Sequence, residues 1–276
     1  MQAKDILHLY EEGYRNFSGL QLAGVDFGGQ ILVGVNFAGA DLAGANFSRS
    51  FLTNANFSDA NLSRANLMFA KLSGGVFVRT MMTKANFQGA FGVRADFTQA
   101  SLSGSRLIYV NLRAAQLGEA NFSSSNLTGS NMRNAHMSEA CFDWANLSGV
   151  RLSGANINLA TFRGANFEQA FLNGLHFNDM DLSGVRFKGA RLKGASFKAA
   201  DLTSANFVEA SLQNSDFQNA QLTGANFDHA HLHRAKFVKA DLRRINVAYV
   251  DWSDADLTDT CLERASVQHS AAMSQR

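Results

Sequence analysis

Apolar residues recur at every fifth position along almost the whole chain. Stepping by five from Phe17 reaches Val267 after 51 pentads without insertion or deletion, and 50 of the 51 central residues are apolar. They are 24 Leu, 19 Phe, 3 Met, 2 Val, Ile157 and Trp252, and the exception is Gly92. Two places before the centre stands Ala in 31 pentads and Ser, Thr or Gly in eight more. Between the two lies mostly Asn or Asp.

A period of five fits neither a helix nor a flat strand. A helix needs apolar residues at a spacing near 3.6 and a half-buried strand needs a spacing of 2. A chain that turns a corner after each pentad satisfies the pattern, because the central and the small residue then point inward and the other three outward. The sequence therefore predicts a solenoid.

The motif A-[ND]-[LF]-x-x, as in Ala45-Asn46-Phe47, resembles the pentapeptide-repeat family over residues 15–269. The resemblance implies an all-β fold, a right-handed quadrilateral β-helix with four pentads and twenty residues per coil. At the usual strand spacing it would have about 13 coils over roughly 60 Å. The opening segment, with Ile6, Leu7 and Tyr10 before Phe17, is similar to the start of many cyanobacterial members.

A coil of four pentads gives four faces, which we name by their first central residues: Phe17, Leu22, Phe27 and Leu32. Central Leu residues follow each other on the Leu22 and Leu32 faces, and Phe on the other two. Between Leu102 and Phe162 the rings move to the Leu22 face, at Phe122, Phe142 and Phe162. This exchange keeps the core volume constant and independently supports the twenty-residue coil.

The ends of a solenoid need covers, because an open coil exposes strand edges and core. We divide the chain into a capping helix in residues 1–14, with Gly13 as its stop, the β-helix in residues 15–269, and a flexible tail in residues 270–276. No comparable cap follows the last coil around Trp252 and Val267. A homodimer through this C-terminal coil is one way to cover it, as in family members related to quinolone resistance.

Composition indicates the cellular environment in which we expect the protein. The 276 residues include no proline, where average usage gives about fourteen. No apolar run is long enough to cross a membrane and no secretory signal is recognisable, so we expect a cytoplasmic protein without membrane contact. Cys141 and Cys261 lie six coils apart, about 29 Å, and cannot form an intramolecular disulfide. Two free outward thiols fit a reducing compartment.

Catalytic motifs are absent, and we expect no enzyme, cofactor or metal. His229, His231 and His233 alternate near one coil edge, but polar outward positions explain them better than a metal site. Four aspartates, at 251, 254, 256 and 259, suggest calcium, yet the period of five spreads them over two faces. A solvated acidic end is the preferred interpretation.

Charge is distributed unequally over the faces, although the formal net charge is only +2. The Leu32 face carries eight basic residues against two acidic ones, Asp251 and Asp254, and therefore totals +6. The basic residues are Lys71, Arg94, Arg113, Arg133, Arg151, Arg191, Lys193 and Arg234. Arg113 and Arg133 share one ladder position a coil apart, which indicates either an acidic partner between them or side chains that splay into water.

The same face collects outward apolar residues near its N-terminal end. We assign an apolar patch to Ile31, Phe51 and Phe91, with Phe69 and Tyr109 on the adjoining corner. Gly92 leaves a core defect between Leu72 and Leu112. The alternative is a local backbone slip that turns Phe91 inward to fill the defect.

Three functions fit these features. The leading hypothesis is a non-enzymatic scaffold that binds an unknown protein partner through the basic and apolar Leu32 face. The second is a DNA mimic that binds DNA gyrase or topoisomerase, as the quinolone-resistance branch is thought to do, but mimicry needs dense negative charge. The third, direct nucleic-acid binding, is disfavoured because the basic face is a thin footprint with few stacking rings.

Overall fold

A short helix opens the chain, and the structure, a computed structural model, describes residues 2–266. Helix α1 spans Ala3–Glu11 and buries Ile6. The hydroxyl of Tyr10 donates to the Val33 carbonyl oxygen at 2.9 Å, which holds the helix on the first coils. Gly13 follows with a φ of 98°, a conformation that favours glycine, so the predicted capping helix is confirmed at this end.

The rest of the described chain is a stack of parallel β-bridges. Each bridge joins one residue to the residue twenty positions later, from Asn16 with Asn36 to Asn246 with Ser266. The strands are single bridge residues at positions just before the pentad centres, and a turn follows every centre. The predicted twenty-residue register, with four sides per coil, is therefore confirmed.

Most corners are hydrogen-bonded turns that begin at the central residue. For example, the Ala45 N–H donates to the Leu42 carbonyl at 3.0 Å. The second residue after the centre has a positive φ, 67° at Gly44 and 60° at Arg64, as a type II turn requires. The corners therefore explain why glycine is frequent at this position of the pentad.

The Asn or Asp before each centre stabilises the corner and the stack together. The side-chain oxygen of Asn46 accepts the N–H of Ser48 at 3.1 Å. It also accepts the side-chain amide of Asn66, one coil further on, at 3.2 Å. Small polar side chains of this kind bond their own backbone two residues on, which explains the sequence preference.

Phenylalanine rings fill the core in ladders. The Phe207 ring stacks on Phe187 and on Phe227 with centroids 4.9 Å apart in both cases. It meets Phe197 of the other ladder edge to face, at 5.8 Å and 82°. In the middle of the chain Phe142 stacks between Phe122 and Phe162 at 4.9 and 5.3 Å, so the predicted exchange of ring ladders is confirmed.

Gly92 keeps its place in the register. Phe91 bridges Lys71 and Asn111, and the Gly92 N–H donates to the Asn111 carbonyl at 2.8 Å. Phe91 is 43% exposed, so the slip that would turn it inward does not occur. A Cβ on Gly92 would lie 3.1 Å from a methyl carbon of Leu112, which shows that this side chain leans into the defect.

The ladder opens at one place on two faces. Within residues 2–266, bridges are missing between Asn156 and His176 on the Phe17 face and between Thr161 and Asp181 on the Leu22 face. The Leu32 and Phe27 faces remain closed beside them, for example at the bridge between Arg151 and Phe171. The gap is therefore a wedge between two consecutive coils.

The C-terminal coils continue the register as far as Ser266. Trp252 is only 3% exposed and packs on Phe237 at 5.3 Å, so it belongs to the core and not to the end surface. Leu257 and Leu262 are only partly buried beyond it. Val267 and the predicted tail, residues 270–276, lie outside the described residues. In residues 2–266 no helix combines the length and the apolar character needed to cross a bilayer.

Candidate functional site

One line of bridged residues on the Leu32 face contains two stretches in which cations and aromatic rings alternate. We call this line the cation–ring ladder, and it occupies the position just before each pentad centre. Its members are Ile31, Phe51, Lys71, Phe91, Asn111, Asn131, Arg151, Phe171 and Arg191, each bridged to the next. Since side chains at one ladder position lie about 5 Å apart, each ring sits directly beside its neighbouring cation.

Cations contact the rings in two places along this ladder. The Lys71 ammonium lies 5.3 Å from the centroid of the Phe91 ring. Further on, Phe171 lies between two guanidinium groups, Arg151 at 5.5 Å and Arg191 at 4.6 Å. Such contacts are worth about 0.5–1 kcal/mol each at exposed sites. They hold long side chains in a defined arrangement on the surface.

The predicted apolar patch is exposed. Phe51 is 46% and Ile31 63% exposed on the ladder itself. Phe69 and Tyr109 are exposed on the adjoining corner, and the Cδ1–Cε1 edge of each ring lies against a glycine one coil on, Gly89 and Gly129. A Cβ at either glycine would collide with that edge of the ring. The glycines therefore allow the two rings to lie against the backbone.

A shallow groove runs beside Phe91. Its volume is about 520 Å³, and it is bordered by Val93, Arg94, Asn111 and Arg113. The groove joins the apolar patch to the first two arginines of the face. A partner side chain that enters it would meet a ring on one side and guanidinium groups on the other.

Most of the predicted basic residues have no acidic neighbour on the protein. In the described part of the chain, seven of the eight form no ion pair within 4.0 Å, the exception being Arg234, which pairs with Asp254 at 3.6 Å. Arg113 and Arg133 are both exposed at the same ladder position. The structure thus brings together seven uncompensated cations and leaves Arg234 neutralised at the C-terminal end.

Cations on the other faces are often paired. Arg79 binds Asp59 at 2.7 Å, and this hydrogen bond holds the pKa of the Asp59 carboxyl below its usual value. Asp181 has a lowered pKa because Ser183 donates to it, with a smaller effect from Arg163. These pairs cancel part of the charge locally, and among the described residues the Leu32 face has more cations without an ion pair than any other single face.

Phe171 is a site residue that sequence analysis missed. The predicted apolar patch covers only the N-terminal end of the face, where apolar residues cluster. The signal was nevertheless present, because Arg151, Phe171 and Arg191 are spaced by twenty and must be neighbours in a twenty-residue coil. The same spacing joins Arg234 to Asp254 and could have predicted their ion pair.

The histidines and C-terminal aspartates have ordinary polar contacts. His229 contacts Asp228 at 2.8 Å and stacks on Tyr249, while His233 contacts the Ser253 hydroxyl at 2.8 Å. Over residues 2–266, no group of three or more His, Cys, Asp or Glu side chains is arranged to hold a metal ion. Cys141 and Cys261 are both free thiols.

The repeated bridges, corner turns and inward ladders define a β-solenoid protein of five-residue repeats. Family models for pentapeptide repeats match residues 21–59, 60–91, 115–154 and 155–198, and the model of a pentapeptide repeat region matches residues 190–271. The chain therefore belongs to the pentapeptide repeat family.

Solved structures of the family show related chains. HetL, a pentapeptide repeat protein involved in heterocyst differentiation regulation from the cyanobacterium Nostoc sp. strain PCC 7120, is 25% identical over 95% of this chain and 97% of its own, with a TM-score of 0.43. QnrB1, a plasmid-mediated fluoroquinolone resistance protein, is 16% identical over 76% of this chain and 89% of its own, with a TM-score of 0.32. No curated protein matches.

Proposed function

We propose that this protein is a non-enzymatic interaction scaffold that binds an acidic or mixed protein partner through the Leu32 face. The observation that carries the proposal is the cation–ring ladder, in which solvent-accessible rings and unpaired cations are neighbours along one line. Binding sites for proteins commonly combine aromatic anchors with arginine, and complementary charge adds selectivity and speed of association.

The two parts of the face have different roles in this proposal. Phe51, Phe91 and the groove beside Phe91 bury apolar side chains of the partner. Arg113 and Arg133 flank this region and meet carboxylates, which removes the repulsion between them. Further along the face, Arg151 and Arg191 are held by Phe171 and extend the basic surface.

The gyrase and nucleic-acid hypotheses receive less support from this face. A DNA mimic needs a dense negative surface, and the most distinctive surface here is positive. Duplex DNA is bound mainly through phosphates and hence through many cations, whereas the rings interrupt the cations on this ladder. The experiments described below also test both of these hypotheses.

The test compares two charge-reversal variants by quantitative affinity capture from the native host. Arg113→Glu with Arg133→Glu is expected to lower recovery of the captured protein at least tenfold. Arg64→Glu with Lys84→Glu is the matched control, since these cations also stack one coil apart but on the Leu22 face, and it is expected to leave recovery unchanged.

Equal recovery by both variants would contradict the assignment of the face. Salt-sensitive retention of duplex DNA that only the Arg113 and Arg133 variant loses would favour the nucleic-acid hypothesis instead. A change in gyrase supercoiling on addition of the protein would favour the gyrase hypothesis.

Three finer features belong to the same proposal. We propose a right-handed coil of about 13 turns, which the family resemblance implies, a homodimer through the C-terminal coil, and action in the cytoplasm.

Partly buried Leu257 and Leu262 support the homodimer, because they leave apolar surface near that end. Sedimentation of the wild type and of a Leu257→Lys variant tests the dimer, which only the wild type should form.

A further inference from the structure

The wedge between two coils is a cavity of about 780 Å³. It lies on the Phe17 and Leu22 faces, away from the cation–ring ladder. Its N-terminal lip is the chain around Ile157 and Thr161, and its C-terminal lip is the chain around His176 and Asp181. Small-molecule sites commonly have volumes of roughly 300–1,000 Å³, so the cavity is large enough to hold a ligand.

The lips expose backbone groups that are paired elsewhere in the solenoid. In a closed ladder the N–H of a central residue donates to the carbonyl nineteen residues on, as Leu127 does to Asn146 at 2.8 Å. In the part of the chain that the structure describes, the N–H groups of Ile157 and Phe162 have no such bond. The N–H groups of His176 and Asp181, which in a closed ladder would donate to the preceding coil, have no such bond either. Unpaired backbone donors are costly unless water or a ligand satisfies them.

The coils separate at the point where the ring ladder changes faces. The ring ladder leaves the Leu22 face at Phe162 and resumes on two other faces at Phe167 and Phe177. Phe162 therefore meets Phe167 at 5.2 Å and Phe177 at 6.2 Å, both at steep angles rather than in a parallel stack. Phe162 and Phe177 are central residues of the two open faces, whereas Phe167 lies on the closed Phe27 face beside them.

The cavity has a net negative lining. Asp143, Asp179 and Asp181 face one arginine, Arg163, which reaches Asp181 at 3.4 Å. Asp143 accepts the Arg163 backbone N–H at 2.9 Å. Asp179 forms no ion pair within the described residues. The floor is apolar, with Ile157 and Ala160 buried, so the lining suits a chain that carries both cations and small apolar side chains.

We propose that the wedge is a binding site for an extended, basic polypeptide segment that adds a strand between the lips. A peptide backbone offers N–H and C=O groups at the spacing of the unpaired ladder, which is the basis of recognition by β-strand addition. The acidic side chains then bind Lys or Arg of the segment. This site and its occupant are independent of the proposed partner of the Leu32 face.

The probe is a fluorescein-labelled peptide with the sequence of residues 185–194, VRFKGARLKG. It carries four cations and has glycine at both corner positions, so it can follow the bend between the two open faces. We expect saturable binding to the full chain by fluorescence anisotropy. A peptide of identical charge with alternate backbone nitrogens methylated cannot pair with the lips and should bind at least tenfold more weakly.

Asp179→Lys tests the charge of the site. Lysine occurs at the same corner position at Lys84 and Lys239, with a φ of 59° at both, so the variant is expected to fold. We expect peptide affinity to fall about tenfold, which corresponds to about 1.4 kcal/mol. Glu119→Lys is the matched control, because Glu119 occupies the same corner three coils away, about 14 Å, and affinity should not change.

Amide hydrogen exchange provides the structural readout. The Ile157 and Phe162 amides should exchange quickly in the free protein and become protected when the probe binds, whereas the Phe207 amide is protected throughout. Strong protection of Ile157 and Phe162 in the free protein would mean a closed ladder and would overturn the proposal. Equal binding of the methylated peptide would overturn it as well, since only charge would then be recognised.

Discussion

At the scale of single residues, several positions of the pentad have a fixed structural role. The Asn or Asp before the centre bonds the corner, as Asn46 does with Ser48, and binds the next coil. The residue two places after the centre adopts a positive φ, whether it is Gly44 or Arg64. Residues outside these tasks are the ones free to serve function, and Lys71, Phe91 and Phe171 occupy bridge positions where Asn or Asp would be expected.

Asp241 provides a pH-dependent contribution to stability. Hydrogen bonds from Arg243, with help from Thr223, hold the pKa of the Asp241 carboxyl at about 2, below its ordinary value of 3.8. Because the folded state binds the proton less readily than the unfolded state, this stabilisation is complete above pH 3.8 and is lost as the pH falls towards 2.

Asp241→Asn should therefore lower the free energy of unfolding by about 1 kcal/mol at pH 6, since Arg243 is half exposed. The difference from the wild type should shrink steadily between pH 4 and pH 2 in denaturant titrations. A difference that stays constant over this range would show that the ion pair does not contribute through its charge.

At the scale of elements, the ladders of stacked residues stabilise the solenoid, and their regular repeats make much of the fold predictable from sequence. The period of five and the twenty-residue coil were predictable from sequence, because side-chain size repeats along each face and must balance across the core. The exchange of ring ladders at Phe122, Phe142 and Phe162 was predictable for the same reason. The wedge was not, because the five-residue repeat continues unbroken through residues 156–181 and gives no sign of the missing bridges.

Gly92 tests the packing of the Leu32-face core. Leu112 leans into the defect, so a large side chain at position 92 overpacks the core and should cost about 1–3 kcal/mol of unfolding free energy. Gly92→Phe is the test, and Gly92→Ala is the matched control. The alanine variant should stay within about 1 kcal/mol of the wild type, because only Leu112 must shift slightly and the unfolded chain loses freedom.

Denaturant unfolding of both variants measures these effects. A Gly92→Phe variant more stable than the wild type would show that the defect is an open cavity. Exposure of Phe91 would then need another explanation, since the ring would have had room to turn inward.

At the scale of the whole molecule, the solenoid separates two surfaces. The Leu32 face carries rings and unpaired cations, and the wedge on the Phe17 and Leu22 faces carries acidic side chains and open backbone groups. The sequence predicted the first surface from the face-by-face charge, although it missed Phe171 and included Arg234, which pairs with Asp254. The missing proline is consistent with both the closed ladders and the corners, because proline lacks the N–H that they use.

The most direct test of the central proposal is hydroxyl-radical footprinting of the purified complex with the captured partner. Oxidation of Phe51, Phe91 and Tyr109 should fall several-fold on complex formation, because these exposed rings lie on or beside the Leu32 face. Trp144 and Met81, exposed on the Leu22 face, are the internal controls and should be oxidised equally in the free and bound states. Protection of Trp144 and Met81 without protection of Phe51 and Phe91 would contradict the account.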